Sequence, residues 1–212
     1  MSTFPVTSVT LIAKIKQLSP GEDSAAWVRF WDMYQGAIRQ FAALKGGEEN
    51  ADDIVMAVLG KLVEVLRTGQ YTPDKGRFHS YLATMIVNEV HMAHRKDVVR
   101  QVDRRVPIDV PMAGDEEGKT MADMLAAPDE TSEKLDEDWR KAVLQSAVNH
   151  VLMRTALSDR DRQVYRAYAL EGMDIADVAR KFGISRNLVS QIRVRIDKRI
   201  VAFGKEMIAG EQ

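Results

Sequence analysis

Cysteine is absent from the chain, which removes disulfide scaffolds and thiolate metal sites and fits a reducing compartment. No stretch offers the roughly 18 consecutive apolar residues that a bilayer-spanning helix needs. The opening residues, MSTFPVTSVTLIAKIKQ, lack a basic region followed by a long apolar run, so a cytoplasmic chain without membrane insertion is expected. Proline is scarce, and three of the six residues, Pro107, Pro111 and Pro128, fall in one segment. Alternation at period two, the mark of a half-buried strand, is missing over any useful length. There is no glycine-rich phosphate loop and no internal repeat. An excess of one charge is missing as well: 30 Lys and Arg face 31 Asp and Glu, for a formal net charge of −1. The average therefore favours no nucleic-acid partner, and only the distribution of charge is informative.

That distribution is uneven. Acids crowd the segment from Asp103 to Asp138, including Asp115, Glu116, Glu117, Asp129, Glu130, Glu133, Asp136 and Glu137. Between Arg180 and Arg199, by contrast, Arg180, Lys181, Arg186, Arg193, Arg195, Lys198 and Arg199 stand against a single acid, Asp197. With 212 residues, 45% of them hydrophobic, the chain can bury one fair-sized core or two small ones, and the texture favours two.

Helical periodicity runs through nearly all the rest. In SAAWVRFWDMYQGAIRQFAAL, the large apolar residues Trp27, Phe30, Trp31, Tyr34, Ile38 and Phe41 recur three or four apart, tracing one helix stripe that Gly46 and Gly47 stop. Asn50 reads as an N-cap, with Asp53 at the third helical position, for a helix whose stripe is Ile54, Val55, Val58, Leu62, Val65 and Leu66 and which closes at Gly69. After the turn-like YTPDKG, a third pattern carries Phe78, Tyr81, Leu82, Met85, Ile86, Glu89 and Val90. A short helix in VTLIAKIKQL is expected to join them, giving an all-helical domain over residues 8–100.

Residues 101–134, rich in acids and proline and without period beyond a turn at TMADMLA, read as a linker. A second helical domain is expected over 135–205. It opens with Trp139, Val143, Val148, Val151 and Leu152 at apolar positions. Ser158 with Asp161, and Asp174 with Asp177, repeat a capping-box pattern ahead of two further helices, and Gly172 ends the first of these.

The stretch DIADVARKFGISRNLVSQIRVRI carries the sharpest signal. A capped helix of about two turns ends at Gly183, which supplies the positive φ of a tight turn. Ser185 caps the next helix, Ala179 occupies the crossing point, and Val178, Phe182, Ile184, Val189 and Ile192 face inward. This is a helix-turn-helix pattern; an ordinary αα-hairpin of a larger bundle has the same apolar spacing. The outer face separates the two readings. Ser185, Arg186, Asn187, Ser190, Gln191, Arg193, Val194 and Arg195 include side chains suited to base edges and to phosphates, and Lys198 and Arg199 extend the charge.

Taken together the two halves resemble the sigma-70 family of bacterial RNA polymerase sigma factors, in its small extracytoplasmic-function form. LSDRDRQVYRAYALEGMDIADVARKFGISRNLVSQIRVRIDKRI is similar to the family's region 4, and ADDIVMAVLGKLVEVL with GRFHSYLATMIVNEVHMAHRK is similar to region 2, through Phe78, Tyr81, Leu82, Met85, Asn88, Arg95 and Lys96. Met56, Met92 and Tyr81 depart from the commoner glutamine, acid and tryptophan.

The resemblance implies an all-α protein of two small helical domains joined by a flexible acidic linker. Its partners would be core RNA polymerase, through the β′ and β subunits, and promoter DNA, with an anti-sigma factor as a further candidate. The first domain would contact core enzyme through Asp52, Asp53 and Met56 and would hold the melted minus-10 element at Asn88, Arg95 and Lys96, where basic side chains offset the cost of unstacking. The second would lay Ser185–Ile196 in the major groove of the minus-35 element.

Each of these roles has a plainer counterpart. Asp52, Asp53 and Glu64 equally suit helix capping and solvation, and Phe78 and Tyr81 suit a core. His91 and His94, three apart on one helix, could face a metal, but no third ligand is placed and a surface pair fits as well. No cofactor, metal or catalytic constellation is expected, so the chain reads as a binding factor rather than an enzyme. The alternative is a LuxR-like regulator, which shares the Leu-Ser-x-Arg start and the Glu-Gly step but would place a domain of alternating strands and helices first. An anti-sigma or scaffold protein would leave the basic outer face unexplained.

Overall fold

The computed structural model describes residues 24–71, 77–103 and 131–208. The expected helix in VTLIAKIKQL, residues 72–76 of the turn-like YTPDKG, and residues 104–130 of the linker expected over 101–134, with its turn at TMADMLA, lie outside the described residues. Within them the fold is all-α, with no strand. Seven α-helices follow in order: α1 Ser24–Gly46, α2 Ala51–Arg67, α3 Phe78–Asp103, α4 Ser132–Arg154, α5 Asp159–Tyr165, α6 Ile175–Phe182 and α7 Arg186–Ile208. A 3-10 turn, Glu48–Asn50, precedes α2, and a π-helical turn, Arg166–Leu170, continues α5. The acidic segment is therefore helical at both margins, since α3 runs to Asp103 and α4 begins at Ser132 on the N-cap Thr131.

The stripes read from the sequence form the first core. Phe30, Tyr34, Ile38 and Phe41 of α1 meet Ile54, Val58 and Leu62 of α2 and Phe78, Leu82 and Ile86 of α3, all buried. Phe30 stacks on Tyr34 with centroids 4.5 Å apart. Each such side chain contributes roughly 1.5–3 kcal/mol by leaving water. Trp31 lies at the edge of its stripe and is 36% exposed, while Trp27 and Tyr81 are half-buried. Asn50 precedes α2 but does not cap it through its side chain. The 3-10 turn holds its backbone at φ −102°, ψ 0°, a helical conformation, whereas a capping residue needs an extended one.

The first half of α4 belongs to this same core. Leu135, Trp139, Ala142 and Val143 are buried in it, and α4 lies antiparallel along α1. Lys45 Nζ meets Asp138 at 2.8 Å, Phe41 meets Trp139 with centroids 5.7 Å apart, and Asp32 meets Arg154 at 3.0 Å. Midway along this seam sits Gly36, where a Cβ would come within 2.4 Å of Ser146 Oγ. The missing side chain is what lets the two helices approach. Lys45, with lesser help from Lys141, holds the Asp138 carboxyl below the usual carboxylate range despite its burial.

Beyond Val143, α4 passes into a second core. Here Ala147, Val151 and Leu152 pack with Val164, Tyr165 and Ala167, with Val178 and Ala179 of α6, and with Val189, Ile192, Ile196 and Ile200 of α7. The far end of α7 returns to the first core: Met207 is buried there, and Tyr34 donates its hydroxyl hydrogen to the Met207 carbonyl at 3.1 Å.

Candidate nucleic-acid interface

Local chemistry builds the helix-turn-helix. Asp174 accepts the N–H of Ala176 at 2.7 Å and starts α6. Gly183, at φ 64° and ψ 35°, ends it in the left-handed region, and the N–H of Ile184 reaches back to the Ala179 carbonyl at 3.0 Å. Ser185 Oγ then accepts the N–H of Leu188 at 3.2 Å and starts α7. Val178 and Ala179 are buried at the crossing. Phe182 and Ile184 are half-buried and pack against the same core.

At 3.6 residues per turn, Val189, Ile192, Ile196 and Ile200 occupy one side of α7. Asn187, Gln191, Val194 and Lys198 occupy the opposite side, and all four are exposed. Ser190, Gln191, Val194, Arg195, Lys198 and Arg199 border a shallow concavity of about 500 Å³. Ser185 and Arg186 are exposed at the start of the helix and Ser190 is half-buried.

The arginines of this helix are not equivalent. Arg195 pairs with Asp161 at 2.5 Å. Arg193 lies over the Tyr168 ring, 5.3 Å from its centroid, and pairs with Asp197 at 3.4 Å. Arg199 donates to the Ala156 carbonyl at 3.4 Å. Tyr165 donates to Asp197 at 2.8 Å. Burial first, and that hydrogen bond second, push the Tyr165 phenol far above its ordinary range, so it stays a donor. Ser158 accepts the N–H of Asp161 at 3.1 Å, as a capping box requires. The Asp161 carboxylate is turned to Arg195 instead of back to the cap, a partner 34 residues away that no local pattern reveals. The π-helical turn that carries Tyr168 beneath Arg193 likewise has no sequence signal.

In the first half, Asp52, Asp53 and Met56 share the exposed side of α2, Met56 being 63% exposed. Asp52 is not isolated, since it accepts a bond from Arg39 at 2.9 Å. That bond, chiefly, raises the Arg39 pKa. On α3, Asn88 is half-buried, while Arg95 and Lys96 are exposed. Asn88 and Arg95 are seven residues apart and so lie on one stripe. Lys96 instead turns toward α2, lining a concavity of about 200 Å³ with Asn50, Asp53 and Glu89 among others. Glu89, placed in an apolar stripe by its spacing, is buried and paired with Lys61. Phe78 is core. His91 and His94 are exposed. Among the described residues no group of three His, Cys, Asp or Glu could hold a metal ion, and no helix is long and apolar enough to cross a membrane.

Compared with known proteins, the chain matches no protein-family model and no curated protein.

Proposed function

We propose that the chain is a sigma factor of the extracytoplasmic-function kind, acting in the cytoplasm as a binding factor with no catalytic step of its own. It would join core RNA polymerase through Asp52, Asp53 and Met56, hold the opened minus-10 element at Asn88, Arg95 and Lys96, and read the minus-35 element with α7. The observation that carries this reading is the capped, glycine-turned pair α6 and α7, whose polar and basic face stands opposite its buried stripe. The helical character of the first half supports it over a LuxR-like regulator, which would need strands there.

Transcription with purified core polymerase on a promoter library tests the proposal. The full chain is expected to direct initiation from a restricted set of start sites. Neutralising Arg95 and Lys96 together should abolish permanganate reactivity at the minus-10 element while leaving core enzyme bound in a pull-down. Start sites identical with and without the chain would refute it.

A further inference from the structure

We propose that the last turns of α7, from Val201 to Ile208, form a docking strip for an amphipathic helix of another protein that carries acidic residues along its edge. The strip lies beyond every position proposed for DNA contact, so it is a second surface of the same helix.

One apolar stripe of α7, with Ile192, Ile196, Ile200 and Met207, is taken up by the two cores. A second stripe remains open: Val194, Val201 and Ile208 recur every seventh residue, and all three are exposed. A single exposed valine is ordinary, but a seven-residue repeat on one face is the spacing by which helices pair. Between Val201 and Ile208 sits Gly204, inside the helix, where a Cβ would meet nothing within 4 Å. Alanine there would suit the helix better, whereas bare backbone suits a neighbour that approaches closely from outside. Lys198 and Lys205 flank the stripe, both exposed and paired with no acid among the described residues. The acids nearby are turned elsewhere, Asp197 to Tyr165 and Arg193, and Glu206 half-buried beside His150.

Charge and reach select the occupant. A second copy would set lysine against lysine, and the chain's own VTLIAKIKQL would bring Lys14 and Lys16. TMADMLA lies in acidic surroundings but too near the start of α4. Phe203 stacks on His150, about 28 Å along α4 from the N-cap Thr131, while the chain from Ala126 to Thr131 spans at most about 18 Å. A separate helix with carboxylates beside its apolar seam matches both the stripe and the lysines.

The experiment titrates the full chain against a labelled synthetic helix of about four heptads, with Leu at the seam and Glu along both edges, and against a twin with Lys in place of Glu. Fluorescence anisotropy is expected to show binding of the acidic helix and none of the basic twin. Val201→Ser should weaken that binding by about 5- to 30-fold, and Lys205→Glu by about 10-fold or more, each with a urea midpoint close to wild type. Lys198→Glu with Lys205→Glu should turn the preference to the basic twin, a reversal that loss of folding cannot mimic. Failure of the acidic helix to bind, equal binding of the two helices, or binding indifferent to these substitutions would overturn the inference. So would capture by phosphatidylglycerol vesicles that depends on Val201 and Lys205 without binding of the acidic helix, an outcome that would assign the strip to a membrane surface instead. None of these outcomes bears on start-site selection, which tests the sigma-factor reading separately.

Discussion

The two cores are built from different materials. The first is stacked with rings, Phe30, Tyr34, Phe41, Phe78 and Trp139, contributed by three helices. The second holds Val, Ala, Leu and Ile, with Tyr165 its one fully buried ring. Large rings bury more area per residue, and the first core is built from long helices. The smaller second core has helices of seven and eight residues, α5 and α6, which are too short to persist on propensity. Side-chain caps at Ser158, Asp174 and Ser185 supply what packing does not. The short helices of the second unit thus lean on side-chain caps, whereas the first unit combines its larger buried area with a few buried polar pairs such as Lys45 with Asp138.

The largest expected effect comes from unstitching α4 from the ring-rich core. Lys45→Met leaves Asp138 buried, and a broken buried pair costs about 3–5 kcal/mol. Lys141, 3.3 Å from the same carboxylate, keeps the loss near the lower end. Urea unfolding should show it, and adding Asp138→Leu should restore most of it. Equal stability of the single variant and the wild type would mean that the seam carries little.

A smaller effect separates the two units directly. Ser158→Ala removes the cap of α5 and is expected to cost about 1 kcal/mol. Amide exchange should quicken across α5 and α6 but not across α2, whose start has no side-chain cap to lose. Uniform quickening would show that the two cores open as one.

The smallest effect concerns His150, stacked on Phe203 at 4.0 Å where the cores meet. Burial, and then Arg154, lower its pKa, against opposing pulls from Asp32 and Glu206. Between the lowered folded value and the unfolded value near about 6.5, the unfolded chain binds more protons. Its contribution to stability is therefore complete above about pH 6.5 and is lost as pH falls through the folded value. The urea midpoint should fall between about pH 7.5 and about pH 5.5, and fall less in His150→Gln. An unchanged slope in the variant would place the titrating group elsewhere.

Much of this is legible in the sequence because it is local. Stripes at helical spacing found Phe30, Ile38, Val58, Leu62 and Ile86, and the glycine and caps around Ile184 found the helix-turn-helix. What escaped is long-range. The antiparallel course of α4 along α1 joins residues such as Lys45 and Asp138, separated by 93 positions, and composition alone suggested that α4 begins a separate unit. Glu89 looked like a stripe position because its partner Lys61 is on another helix. Asn50 has the right residue type for a cap but the wrong backbone. The holding of Arg193 and Arg195 depends on Tyr168, Asp197 and Asp161, and two of those three lie on elements outside α7.

The bond from Tyr34 to the Met207 carbonyl carries a mechanical meaning. A helix of 23 residues spans about 34 Å and behaves as a stiff strut. Its beginning is capped by Ser185 and near its tail Met207 is buried in the ring-rich bundle, so α7 is anchored at both ends. Swinging the Ser185 end away from that bundle would strip a terminal carbonyl of its donor and bring a fully hidden methionine into water.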